Sequence, residues 1–162
     1  MANPSPGILT PAERRARRNR AVRIARRLGF VGRVEYRHVF SQTGGAQYGR
    51  GRTAKEDLLT VYAEAFDRDA DPEDFSLEAM IAHECGHQIL ARHPRTAKRV
   101  AGISAASEEV LSSLVGAMMC DADADRVMLF AKATAELLER GQSAESANRQ
   151  IQELWDLLEA LS

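Results

Sequence analysis

The sequence predicts an α+β fold, a mostly helical single domain with a small N-terminal β-sheet. Three observations lead there. Helical periodicity fills the chain after Phe75, strand-like alternation is confined to residues 33–66, and 162 residues suit one core rather than two. The predicted domain runs from 12 to 162 behind a disordered tail at 1–11, whose first residues are Pro, Gly and Ser without periodicity.

The elements follow in order. Thr10-Pro11-Ala12-Glu13 reads as a capping box with Pro at the first helical position, opening a helix that runs to about Leu28 and stops at Gly29. Residues 33–40, RVEYRHVF, alternate with β-branched and aromatic residues and predict a strand. TGGAQYGRG, from 43, reads as a flexible glycine-rich turn, and without a Lys-Ser/Thr ending it is no phosphate loop. Residues 57–66, DLLTVYAEAF, read as a second strand by their Leu-Thr-Val-Tyr core or as a short helix by their ends, and the strand is taken. DRDADPED, from 67, is an acidic turn that lacks the Gly and distal Glu of a calcium loop. Ser76 caps a helix from Leu77 to about Arg92, ended by Pro94. A long helix is expected from about Ser107 to Arg140. After Ser143 another carries Ile151, Leu154, Trp155, Leu158 and Leu161 on one face, a packing stripe.

Composition narrows the function classes. No apolar run approaches the roughly 20 residues of a membrane span. The basic N-terminus has no apolar segment behind it, so it is not a secretory signal. Two cysteines, Cys85 and Cys120, are too few for a disulfide framework and fit a reducing cytoplasm. The net charge of -1 hides an asymmetry: 13 basic and 2 acidic residues up to Lys55, then 9 basic and 21 acidic. Eight arginines crowd the first helix. They offer a handle for nucleic acid or an acidic partner, but no aromatic residues interleave them. The favoured reading is a solvated helix docked against the acidic remainder.

The chemistry concentrates in AMIAHECGHQIL, residues 79–90. On a helix, His83 and His87 lie one above the other and can turn both imidazoles to one ion, while Glu84 is rotated beside it. A carboxylate there is placed to take a proton from zinc-activated water. Gly86 allows another backbone to approach closely.

HECGH resembles the signature of the zincin metallopeptidases. The resemblance implies that His83 and His87 bind zinc and that Glu84 is the catalytic base. It leaves the third ligand to be chosen. His93 has the metzincin spacing, but Leu90 stands where those enzymes need Gly for a sharp turn, so that frame is rejected. EEVLSSLVG, from 108, is similar to the second zinc helix of the gluzincins, thermolysin-like enzymes included. There Glu109 would be the ligand, with Ser112 and Gly116 matching and Ser113 replacing the Asp that orients a histidine. Below Glu109, Ser113, Gly116, Ala117, Cys120 and Ala124 form a small-residue face suited to close helix approach. DADAD offers Asp121 as an alternative, about 18 Å of helix rise beyond Glu109. Glu108 is a further alternative, or simply an acid favouring a helix N-terminus.

The resemblance therefore implies a cytoplasmic, zinc-dependent endopeptidase acting on a peptide or protein substrate. His83, His87 and Glu109 would hold the metal and Glu84 would be the general base. His38, Tyr48 and Tyr62 are weaker candidates for oxyanion stabilisation, and residues 57–66 for a strand that aligns substrate. The rival reading is a non-catalytic zincin-like module that binds protein or nucleic acid through its arginine-rich helix.

Overall fold

The computed structural model describes residues 5–41, 44–67, 76–93, 95 and 108–161. Residues 1–4 of the expected tail, most of the acidic segment at 68–75 and the connection at 96–107 lie outside them. The described residues form five α-helices and one three-stranded sheet, a mostly helical α+β domain.

Helix α1 (Pro11–Arg27) begins at the predicted capping box. Thr10 Oγ1 accepts from the Glu13 amide at 3.2 Å, and the Glu13 carboxylate accepts from the Thr10 amide at 2.7 Å. Gly29, with φ of 83°, ends it. Ala21, Ile24, Ala25 and Leu28 turn inward, so the narrow apolar stripe docks on the core.

Strand β1 (Arg33–Arg37) and strand β3 (Leu58–Tyr62) pair in parallel, Val34 opposite Leu59. Between them in sequence comes a strand that the glycine-rich reading missed. Strand β2 (Ala46–Gly49) pairs antiparallel with β3, Tyr48 opposite Leu59, in the order β1-β3-β2. Glycines at 45 and 49 mask its alternation, and β3 supplies the pairing that local propensity does not. Of the expected substrate strand, residues 57–66, only Leu58–Tyr62 is extended, and it is the central strand, hydrogen-bonded on both sides; Ala63–Ala65 turn as a 3-10 helix. The edges are β1 and β2.

Helix α2 (Leu77–Arg92) is capped by Ser76, whose Oγ accepts from the Ala79 amide at 3.0 Å. Helix α3 (Glu108–Met119) runs back along it. The crossing is set by two glycines. A Cβ built at Gly86 would overlap the Ser112 carbonyl oxygen, and one at Gly116 would stand 2.5 Å from the Ala82 carbonyl oxygen. Backbone thus meets backbone, as the small-residue face predicts.

The single long helix expected from Ser107 to Arg140 is two. Helix α3 ends at Met119 and helix α4 (Asp123–Glu139) begins after a short turn. Neither Gly nor Pro marks the break. Arg126 closes it by donating from Nε to the Cys120 carbonyl at 2.9 Å, and Ser76 Oγ donates to Asp125 at 2.6 Å. These tertiary bonds hold a turn among weak helix formers, Asp121 and Asp123. Helix α5 (Ala144–Leu161) then buries Ala147, Ile151, Leu154 and Leu158, with Trp155 against Phe130 at 4.8 Å between ring centroids.

Candidate metal centre

The α2–α3 crossing brings three side chains together. One ligand atom each from His83, His87 and Glu109 lies within 4.8 Å of the others. His83 Nε2 is 3.1 Å from Glu109 Oε2, and His87 Nε2 is 3.2 Å both from Glu109 Oε1 and from His83 Nε2. His83 is buried, His87 is nearly so, and Glu109 is half exposed, so the cluster opens to solvent on the Glu109 side.

The remaining ring nitrogens are held from behind. Ser113 Oγ is 2.8 Å from His83 Nδ1, and the Glu108 carboxylate is 3.0 Å from His87 Nδ1. Glu108 accepts the Nδ1 proton of His87, which leaves Nε2 as a lone pair whenever that ring is neutral. This lone pair faces a carboxylate oxygen and the Nε2 of His83. Such electron-rich atoms repel one another unless a cation, proton or metal, sits among them. Two imidazoles and a carboxylate are a zinc donor set, so the residues present fit that ion.

The electrostatics carry the same signature. Burial opposes charge on His87, but hydrogen bonds to Glu109 and Glu108 and the field of Glu84 outweigh it and lift its pKa to about 9. Burial pushes His83 down, against the pull of Glu109. Hydrogen bonds from His83 and His87 hold Glu109 well below the usual carboxylate range despite partial burial. Glu84 stands apart. Burial raises its pKa to about 7, His87 pulls it down, Glu109 pushes it up, and the Tyr48 amide donates toward its carboxylate.

The alternatives for the third ligand fall away from the cluster. His93 is the exposed C-cap of α2, which stays helical through Leu90 to Arg92 without the turn a metzincin needs. Asp121 is exposed in the break beyond α3. Glu108 lies behind His87, so its oxygen backs a ring nitrogen instead of joining the converging atoms.

The oxyanion candidates are otherwise engaged. Tyr48 donates to Asp57 Oδ2 at 2.8 Å, Tyr62 donates to Gln47 at 3.2 Å, and His38 contacts the Tyr36 hydroxyl at 2.7 Å and the Gly7 carbonyl. The Tyr48 ring lies against His87.

Behind Tyr48 is a buried network that sequence reasoning missed. Asp57 is fully buried. Besides Tyr48 it accepts from Gln88 Nε2 at 2.9 Å, from the Gly51 amide at 2.8 Å and from Arg92 through Nε at 3.0 Å and a second, shorter bond. Gln88 also donates to the Val31 carbonyl and accepts from the Val31 amide at 3.0 Å. Gln88 and Arg92 are four apart on α2, so one helix face ties the site helix to the sheet. That spacing was the available signal.

Set against models of protein families, curated proteins and solved structures, the chain matches none. What the cluster can do follows from its own donor atoms.

Proposed function

We propose that the protein is a zinc-dependent metallopeptidase in which His83, His87 and Glu109 hold the ion and Glu84 is the general base. One observation carries the reading: two imidazole nitrogens and a carboxylate from two helices converge within 4.8 Å, with each histidine backed by its own polar partner. Zinc held there would polarise a substrate carbonyl and acidify a water molecule.

Glu84 follows His83 and turns beside the cluster, not into it. Its raised pKa, about 7, suits a group that takes a proton and returns it to a leaving amine near neutral pH. The Tyr48 amide fixes the carboxylate from the sheet side. Strand β2 supports a peptide substrate in particular. The Tyr62 amide donates to the Gly45 carbonyl at 2.8 Å, so positions 45, 47 and 49 bond inward to β3. Antiparallel alternation turns the N–H and C=O groups of Ala46 and Tyr48 outward. Among the described residues nothing takes up the Ala46 groups or the Tyr48 carbonyl, which suits an extended chain laid along this edge.

The test is metal content and proteolysis measured together. The purified wild type is expected to carry about one zinc per chain and to cleave an unfolded protein substrate. Glu84→Gln should keep the zinc and lose the cleavage. Zinc retained in both proteins with cleavage in neither would leave a non-catalytic metal module. Equal zinc content in wild type, His83→Ala and His87→Ala would remove the metal centre altogether.

A further inference from the structure

Seven of the eight arginines of α1, all but Arg14, separate into two sets in the fold. Arg17 and Arg20 face the domain: Arg17 pairs with Asp67 at 3.1 Å, and Arg20 lies 3.8 Å from Glu78. Arg26 donates to the carbonyls of Phe30 and Gly32 and so closes the helix end. Arg15, Arg18, Arg23 and Arg27 are exposed, and among the described residues they make no ion pair and no side-chain hydrogen bond. If the helix served only to dock on the acidic remainder, these four would be expected to share its carboxylates.

The positions define a shape. At 100° per residue, Arg23 and Arg26 centre the face opposite the buried stripe, with Arg15 and Arg18 on one flank and Arg27 on the other. From Arg15 to Arg27 the rise is about 18 Å. The inner face, Ala21, Ile24, Ala25 and Leu28, is already buried in the core, so no apolar face is left to enter a lipid surface. No aromatic side chain stands on the outer face to stack bases, which disfavours single strands. What remains is a set of exposed guanidinium groups carried on one helix, the side chain best matched to phosphate oxygens.

We infer that the outer face of α1 docks on the phosphate backbone of duplex DNA without reading sequence. Duplex DNA carries one charge per about 1.7 Å of axis, a density that an acidic peptide does not hold in fixed geometry. The surface uses no residue of the metal cluster, so the inference stands apart from the peptidase reading.

The experiment is fluorescence anisotropy of the full chain with a labelled random-sequence duplex of about 20 base pairs, from low salt upward. The wild type should bind, with the logarithm of its affinity falling linearly in log salt. The combined variant Arg15→Gln, Arg18→Gln, Arg23→Gln, Arg27→Gln should bind at least roughly tenfold more weakly, with the slope reduced by about 0.9 for each lost phosphate contact. Its circular dichroism should match the wild type, since all four side chains are exposed. Arg50→Gln with Arg52→Gln, the same chemistry outside α1, should bind as the wild type does. Absent or salt-independent binding by the wild type would overturn the inference, as would undiminished binding by the combined variant. Displacement of the duplex by polyglutamate at equal charge would do so too, because the face would then be a site for acidic protein.

Discussion

The Tyr48 and His87 rings lie 7° from parallel with centroids 6.4 Å apart, so a residue of the sheet edge flanks one member of the candidate metal cluster. The hydroxyl at the other end of Tyr48 is fixed by Asp57. Sheet, buried acid and histidine therefore form one connected unit. Tyr48→Phe keeps the ring and removes the hydroxyl, leaving an Asp57 lone pair without its donor. It should cost about 1–2 kcal/mol in denaturant unfolding with little change in zinc affinity. Tyr48→Leu removes the flat ring and should weaken zinc binding as well. Equal zinc affinity in both variants would mean that the stacking does not orient His87.

Acid should reach the protein through Asp57. Burial alone would raise its pKa, but hydrogen bonds from Arg92, Gln88, the Gly51 amide and Tyr48 hold it well below the usual carboxylate range. A carboxyl depressed in the folded state stabilises the fold fully above its unfolded pKa of about 4 and loses that contribution as pH falls toward the folded value. Urea midpoints should therefore drop below about pH 4. Asp57→Asn should be weaker by about 3 kcal/mol at neutral pH and should lack this component of the acid decline. An unchanged acid limb in Asp57→Asn would assign the decline to other carboxylates.

The groups behind the histidines should tune metal affinity without abolishing it. Ser113→Ala and Glu108→Gln each remove a partner of a ring nitrogen and are expected to weaken zinc binding by about tenfold in competition with a chelator. Glu109→Gln should lose far more, and Asp121→Asn nothing. A large loss confined to Asp121→Asn would place the third ligand on the wrong helix segment.

Gly86 should be the least replaceable glycine of the helix crossing. Gly86→Ala drives a methyl group into the Ser112 carbonyl, backbone against backbone, and should cost about 3 kcal/mol or more by chemical denaturation. Gly7 has nothing within 4 Å of a built Cβ, so Gly7→Ala should stay within about 0.5 kcal/mol of the wild type.

The parts legible in the sequence were those written in local chemistry. The Thr10 box, the stop at Gly29 and the Ser76 cap each state a helix end in a few residues, and the structure contains all three. The convergence of Glu109 with the two histidines followed from helix heights, because a ligand in the first turn of α3 returns to the level of α2's second half. Ser113 beside a histidine followed from the same register. What was hidden depended on partners far along the chain. Strand β2 exists because β3 pairs with it. The α3–α4 break rests on Arg126 and on Ser76, the latter 49 residues from Asp125. Asp57 reads as the polar start of a strand until Gln88 and Arg92 arrive from α2.

The interlock of Gly86 with Ser112 and Gly116 with Ala82 has a consequence for how this architecture can vary. Two main chains in contact at two points, one helical turn apart, cannot slide past each other without a collision of backbone atoms. The spacing of the cluster is thus set by the helices themselves, independently of the span joining Arg92 to Glu108. Closure entropy grows only slowly with chain length, about 0.6 kcal/mol per doubling, so an insertion between the two helices should leave the cluster's spacing intact. A glycine-serine insertion after Thr96 is expected to leave zinc stoichiometry unchanged, because the grip on the ion is built into the helix crossing.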